Sequence, residues 1–121
     1  MEIKENNAFW QAIDTLISSG KIVIDRPKGS VHPRFENIKY EVDYGYIENT
    51  ASMDDDGIDV WRGSLQEAIA NAIICTVDLM KKDSEIKILI GCTEEEIKTV
   101  YDFHNNTEFM RGYLYVDRHY N

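Results

Sequence analysis

The sequence predicts a mainly β domain, a small closed or partly open β-barrel flanked by an N-terminal and a C-terminal helix. Three observations predict it. Residues 38–47, IKYEVDYGYI, alternate apolar and mostly polar side chains, the period of a half-exposed strand. Residues 71–80 and 85–92, NAIICTVDLM and EIKILIGC, are β-branched runs separated by Lys81-Lys82-Asp83-Ser84, the pattern of a hairpin. Near each end of the chain, apolar residues recur at helical spacing. A length of 121 residues suits one core, so residues 1–121 are read as a single domain.

The elements follow in chain order. Asn6 or Asn7 can cap a helix whose Phe9, Trp10, Ile13, Leu16 and Ile17 share one face, and Ser18-Ser19-Gly20 ends it. KIVID, residues 21–25, is a short strand closed by Arg26-Pro27-Lys28-Gly29-Ser30, where proline and glycine interrupt either period. The strand over 38–47 sets Ile38, Tyr40, Val42, Tyr44 and Tyr46 on one face. IDVW, residues 58–61, is a further strand, and residues 63–71 read as loop or helical turn. After the hairpin, Thr93 with Glu96 three residues on is a capping box opening a helix to about residue 104, with Ile97, Val100, Tyr101 and His104 on its stripe. Residues 112–116 add a last strand. Five or six short strands close most economically as a barrel.

Composition narrows the function. A net charge of −9 disfavours nucleic acid, because nothing offsets repulsion from a phosphate backbone, yet it leaves room for a small phosphate ligand in a local basic pocket. Residues 1–20 carry acids and no long apolar run, so neither a signal peptide nor a membrane span is expected. Cys75 and Cys92 lie in apolar stretches without metal-binding spacing and read as buried free thiols of a reducing cytoplasm. Assembly into a homo-oligomer is left open.

The densest chemical signal is MDDDGID. Asp54 and Asp56, two residues apart in an extended segment, point to one side. Gly57 lets the chain bend so that Asp59 returns toward them. Like charges this close either splay into water or share a cation, and three hard oxygen ligands at a tight turn suit Mg²⁺. An EF-hand loop fails, since it would begin at Ser52 and put Gly63 at the place of its bidentate glutamate. Tyr40 and Tyr44 offer neutral hydroxyls upstream, Asp25 another carboxylate, and Lys28, Arg34 and Lys87 fixed positive charge. Lys87 interrupts an apolar strand, so its face must open on solvent or on an anion. Each has a plainer reading: half-buried strand tyrosines, surface loop cations, a strand-end Asp25, a Glu85 that only ends a turn.

YEVDYGYIENTASMDDDGIDVW resembles the signature of the soluble, magnesium-dependent inorganic pyrophosphatases, whose fold is an OB-like barrel. That signature has a tyrosine, three residues, Tyr-Gly-Tyr-Ile, then Thr and Asp-Gly-Asp-Pro-x-Asp-Val. Tyr40, Tyr44, Gly45, Tyr46, Ile47, Thr50, Ser52, Asp54, Asp56, Asp59 and Val60 match it in order without a gap. Asp25 before Arg-Pro, His32-Pro33-Arg34-Phe35-Glu36 and Glu85-Ile86-Lys87 are similar to flanking segments, so the resemblance spans about residues 21–116 and leaves residues 1–20 as an extra helix. It implies hydrolysis of inorganic diphosphate to two phosphates. Asp54, Asp59 and Glu85, with Asp25 beside them, would hold Mg²⁺. Asp56 would orient or deprotonate a metal-bridging water. Arg34, Lys28, Lys87, Tyr40 and Tyr44 would bind phosphate.

The departures shape two alternatives. The hairpin before the first signature tyrosine is largely missing, together with a phosphate-binding arginine, and Arg34 cannot fill two places. Asp55 stands where the family has glycine. A family aspartate in the shortened loop falls on Asp83 with a gap and on Lys82 without one, and a late Tyr-Lys pair falls on His104 and Asn105. These losses are what a catalytically degenerate module retaining metal or phosphate affinity would show. Trimmed loops would also make room for another diphosphate compound.

Overall fold

The apolar runs of the hairpin build the longest strands of a six-stranded mixed sheet. The computed structural model describes residues 1, 7–52, 56–116 and 118. Its elements are helix α1 (Asn7–Ser18), strands β1 (Ile22–Arg26), β2 (Asp43–Ile47), β3 (Ile58–Arg62), β4 (Ala70–Asp78) and β5 (Asp83–Ile90), helix α2 (Glu94–Phe103) and strand β6 (Met110–Tyr115). The sheet order is β1-β2-β3-β5-β4-β6. From β3 the chain crosses one vacant place to lay down β4. The β4–β5 hairpin then returns β5 into that place, parallel to β3, while every other pairing is antiparallel.

Both faces of the sheet are covered, which is why β5 ends in a continuous apolar run. Ile88 and Ile90 point to the side of α1, where they meet Trp10, Ile13, Ile47, Val60, Ala70 and Ile73. Leu89 points to the side of α2 and meets Tyr40, Val42, Trp61, Ala72, Ile74, Cys92 and Val100. Each such isoleucine or leucine, removed wholly from water, contributes about 1.5–3 kcal/mol. No described helix is long and apolar enough to cross a membrane. The cysteines are free, Cys92 buried and Cys75 half-buried, and burial pushes the Cys92 thiol up to about 12.

One expectation narrows and two change. Of the closed or partly open barrel, the closed form is absent: among the described residues β1 and β6 are the outer strands of the sheet and are not paired with each other. The strand expected over 38–47 is regular only from Asp43. Upstream, Gly29 N–H donates to Tyr40 O (2.7 Å) and Tyr40 N–H to Ser30 O (2.9 Å), so a loop and not a strand satisfies that backbone. Tyr101, expected on the inner stripe of α2, is exposed. Phe103 sets the helix rotation instead, with its ring 5.1 Å from Trp61 and 5.3 Å from Tyr40. Residues 63–69 are loop, tied to the end of β5 by Gly63 N–H to Ile90 O (2.8 Å) and Leu65 N–H to Gly91 O (2.9 Å).

The capping box forms in full, Thr93 Oγ1 accepting from Glu96 N (3.1 Å) and Glu96 Oε1 from Thr93 N (2.8 Å). The Glu96 carboxylate also accepts from Ser64, which pins the 63–69 loop to α2. Burial disfavours its charge, but these hydrogen bonds outweigh that and lower its pKa. Thr93→Ala is expected to cost about 1 kcal/mol of unfolding free energy, read as a lower urea midpoint at unchanged slope.

Candidate active site

Four polar side chains from three strands meet on the α2 side of the sheet. Glu85 and Lys87, two residues apart on β5, share a face. The parallel register of Val60 with Ile88 sets the preceding residues, Asp59 and Lys87, beside each other. Tyr44 is opposite Trp61 and therefore diagonal to Asp59. Gly57, at φ +96°, makes the bend that starts β3 just ahead of Asp59.

Lys87 is the hub. Its Nζ donates to Asp59 Oδ2 at 2.8 Å, Tyr44 Oη at 2.9 Å and Glu85 Oε2 at 3.0 Å, and Tyr44 Oη donates to the same Asp59 Oδ2 at 2.7 Å. The ammonium group has thus spent its three donors. Only 7% of Lys87 is exposed, a degree of burial that an unpaired ammonium could not sustain. Burial works to lower the lysine pKa, and the contacts with Tyr44 and Asp59 more than reverse it, so Lys87 stays charged. Burial raises the Tyr44 pKa well above the ordinary 10.0; Asp59 adds to the rise and Lys87 opposes it, and Tyr44 is a neutral phenol.

Under this network lies a floor of rings. Tyr44 meets Trp61 edge-on at 4.6 Å and Tyr40 at 5.4 Å. Trp61 Nε1 donates to His104 Nε2 (3.1 Å), so the imidazole proton sits on Nδ1, which is buried without a described partner. His104 is therefore part of the core on this side. Trp61 was not among the residues singled out from sequence, nor was Arg26, whose Nη1 donates to the Tyr40 hydroxyl.

The other sequence candidates are dispersed. Asp25 is exposed at an irregular step of β1, and it is Arg26 that pairs with Tyr44. Lys28 is exposed and its backbone N–H donates to Asp43 Oδ1 (2.7 Å). Arg34 is exposed and its backbone N–H donates to His32 Nδ1 (3.0 Å). Asp56 is exposed at the start of the bend, while Asp54 and Asp55 lie outside the described residues. Among the described residues no three acids, cysteines or histidines gather into a metal-sized cluster. Asp83 begins β5 opposite Asp78, and Lys82 takes the left-handed tip of the hairpin at φ 58°. The Asn105 side chain is held by Gly112, donating to its O (3.1 Å) and accepting from its N (3.0 Å).

With no family model and no curated protein sequence matching the chain, the comparison rests on solved structures. An inorganic pyrophosphatase from Coxiella burnetii superposes with a TM-score of 0.57 at 15% identity, over 79% of this chain and 88% of that one. One from Neisseria gonorrhoeae superposes with a TM-score of 0.50 at 17% identity, over 85% of this chain and 75% of that one. The fold is pyrophosphatase-like. At these identities the pyrophosphatase likeness is one of fold.

Burial holds His104 down to about 3, with Lys87 adding to the effect, against an ordinary 6.5. Between those values the unfolded chain takes a proton that the folded one refuses, so His104 lets stability hold above pH 6.5 and fall as pH drops below it. From pH 7 to pH 5 the loss from this one group is about 2 kcal/mol. Urea titrations at both pH values should show that loss in the native protein and a smaller one in His104→Gln, which keeps an acceptor for Trp61.

Proposed function

We propose that this protein hydrolyses inorganic diphosphate to two phosphates with Mg²⁺, as a shortened enzyme on a partly open, OB-like pyrophosphatase barrel working in the cytoplasm. The observation that carries the reading is the meeting of Tyr44, Asp59, Glu85 and Lys87 on one face of a pyrophosphatase-like sheet. The neighbours are named as inorganic pyrophosphatases, which supports diphosphate as the substrate.

Asp59 and Glu85 fit a divalent ion. Both are hard oxygen donors turned to one cationic point, and each commits one oxygen to Lys87. In this reading they would hold Mg²⁺ together with Asp54, while Asp25, which the irregular step of β1 leaves exposed, stays outside the set. Mg²⁺, when bound, supplies Lewis-acid chemistry, polarising phosphoryl oxygens and making water acidic enough to attack near neutral pH. Asp56 would orient the attacking water and take its proton. Tyr44 donates from a hydroxyl that burial keeps protonated. Lys87 keeps its charge and offers it to the phosphoryl oxygens, and Tyr40, Arg34 and Lys28 extend the phosphate contacts.

One observation favours a second reading. Lys87 already engages two of the acids a metal would need, as it would in a module that binds phosphate without turning it over. Hydrolysis of a larger diphosphate compound is the third. Purified protein with millimolar Mg²⁺ is expected to release phosphate from diphosphate faster than from nucleoside or sugar diphosphates. Asp56→Asn, at an exposed position, is expected to keep its circular dichroism and lose about 100-fold or more in kcat. Binding without release selects the module, and a preference for an organic diphosphate selects the third reading.

A further inference from the structure

Strand β1 carries one irregularity, and it falls beside the site. Ile24 pairs with Gly45, yet the next pair is Arg26 with Tyr44, so β1 spends two residues where β2 spends one. In such a β-bulge one residue leaves the ladder and the next is re-aimed. An unbroken register would set Asp25 opposite Tyr44 and turn Arg26 to the other face. The bulge exchanges them, leaving Asp25 exposed and Arg26 half-buried opposite Tyr44. The Arg26 guanidinium donates to Tyr40 Oη and lies 5.4 Å from the Tyr40 ring centroid. Since the Tyr40 and Tyr44 rings are themselves 5.4 Å apart, adjacent phenols tether Arg26 and Lys87.

Among the described ion pairs none neutralises Arg26. A chain of net charge −9 has acids to spare for this cation, and among the described residues none pairs with it. A guanidinium has five N–H donors in a planar fork, so the bond to Tyr40 leaves others for an oxyanion.

We propose that Arg26, turned to the site by the bulge at Asp25, is a phosphoryl-binding residue, set across the Tyr40–Tyr44 pair from the Asp59–Glu85 carboxylates. The assignment deepens the diphosphate reading and rests on it.

The test pairs steady-state phosphate release with calorimetric binding of imidodiphosphate, a non-hydrolysable diphosphate, at fixed Mg²⁺ and ionic strength. Arg26→Gln should raise KM and weaken imidodiphosphate binding by about 10- to 100-fold, with kcat changed less than about threefold. Arg26→Lys should recover part of the loss, since it restores charge without the fork. The double variant Asp25→Arg/Arg26→Asp keeps the net charge and should bind more weakly still. A folded Arg26→Gln with KM and affinity within about twofold of the native protein overturns the inference alone. If that variant does not fold, Tyr40→Phe takes its place. It removes the hydroxyl that tethers the guanidinium, and an unchanged KM and affinity in it count equally against the inference. Native protein that binds imidodiphosphate without hydrolysing diphosphate overturns turnover while the binding arm still decides Arg26. Native protein that does neither overturns both.

Discussion

The α2 face of the sheet is organised by a buried ammonium. Lys87 sits in a strand whose next three residues, Ile88, Leu89 and Ile90, are almost wholly buried, and its own side chain is 9% exposed. Removing such a charge from water costs several kcal/mol unless every donor finds a partner. Asp59, Glu85 and Tyr44 supply the three partners, and they come from β3, β5 and β2. The pairing thus constrains three strands at once. Sliding β5 by one residue against β3 would carry Lys87 to the α1 face, among Ile47, Val60 and Ile73, with no carboxylate to meet it. The lysine is in this sense a register pin as well as a chemical group.

Aromatic packing makes that arrangement rigid. Tyr44 is held between Tyr40 and Trp61, and Trp61 by Phe103 and by the hydrogen bond to His104 at the end of α2. The helix that closes this face therefore positions the tyrosine that donates to Asp59. His104 must stay neutral for its Nε2 to accept from Trp61, and a neighbouring Lys87 favours that state, since a second positive charge would be repelled. The same burial that gives Tyr44 its high pKa holds His104 low, because burial disfavours the charged form of either group.

The parts legible in the sequence were those with local causes. The two helices, the hairpin, the capping box and the strand IDVW each announce themselves through spacing or a capping residue, and each forms. Lys87 in an apolar strand was readable as a charge seeking an anion. Strand count leaves a closed or a partly open barrel, because count says nothing about whether β1 and β6 meet. The strand over 38–42 was misread because alternation reports which side chains are buried, and Tyr40 and Val42 are buried from a loop whose hydrogen bonds go to residues 29 and 30. Arg26 was missed for a sharper reason. Alternation assumes two residues per repeat, and one inserted residue reverses the side of everything after it. Nothing in IVIDR marks the bulge.

The bulge and the lysine together set the charge geometry that any function must use. Asp59 and Glu85 give one side of the site two negative charges, and Lys87 between them leaves one in excess. Across the tyrosine pair, Arg26 brings positive charge that no described carboxylate cancels. An anion entering alone would be drawn to the arginine and repelled by the acids, and a cation entering alone would meet the reverse. An ion pair of a phosphoryl group and a divalent metal satisfies both sides together, because each charge finds its opposite and neither is left buried without a partner. If Lys87 then turns one donor from a carboxylate to a phosphoryl oxygen, it frees that carboxylate oxygen for the metal at no net loss of hydrogen bonds. Arg26 is tied to Tyr40 but meets no described carboxylate, so the opposed signs across Tyr40 and Tyr44 are the feature on which the proposed metal-complexed phosphoryl ligand would draw.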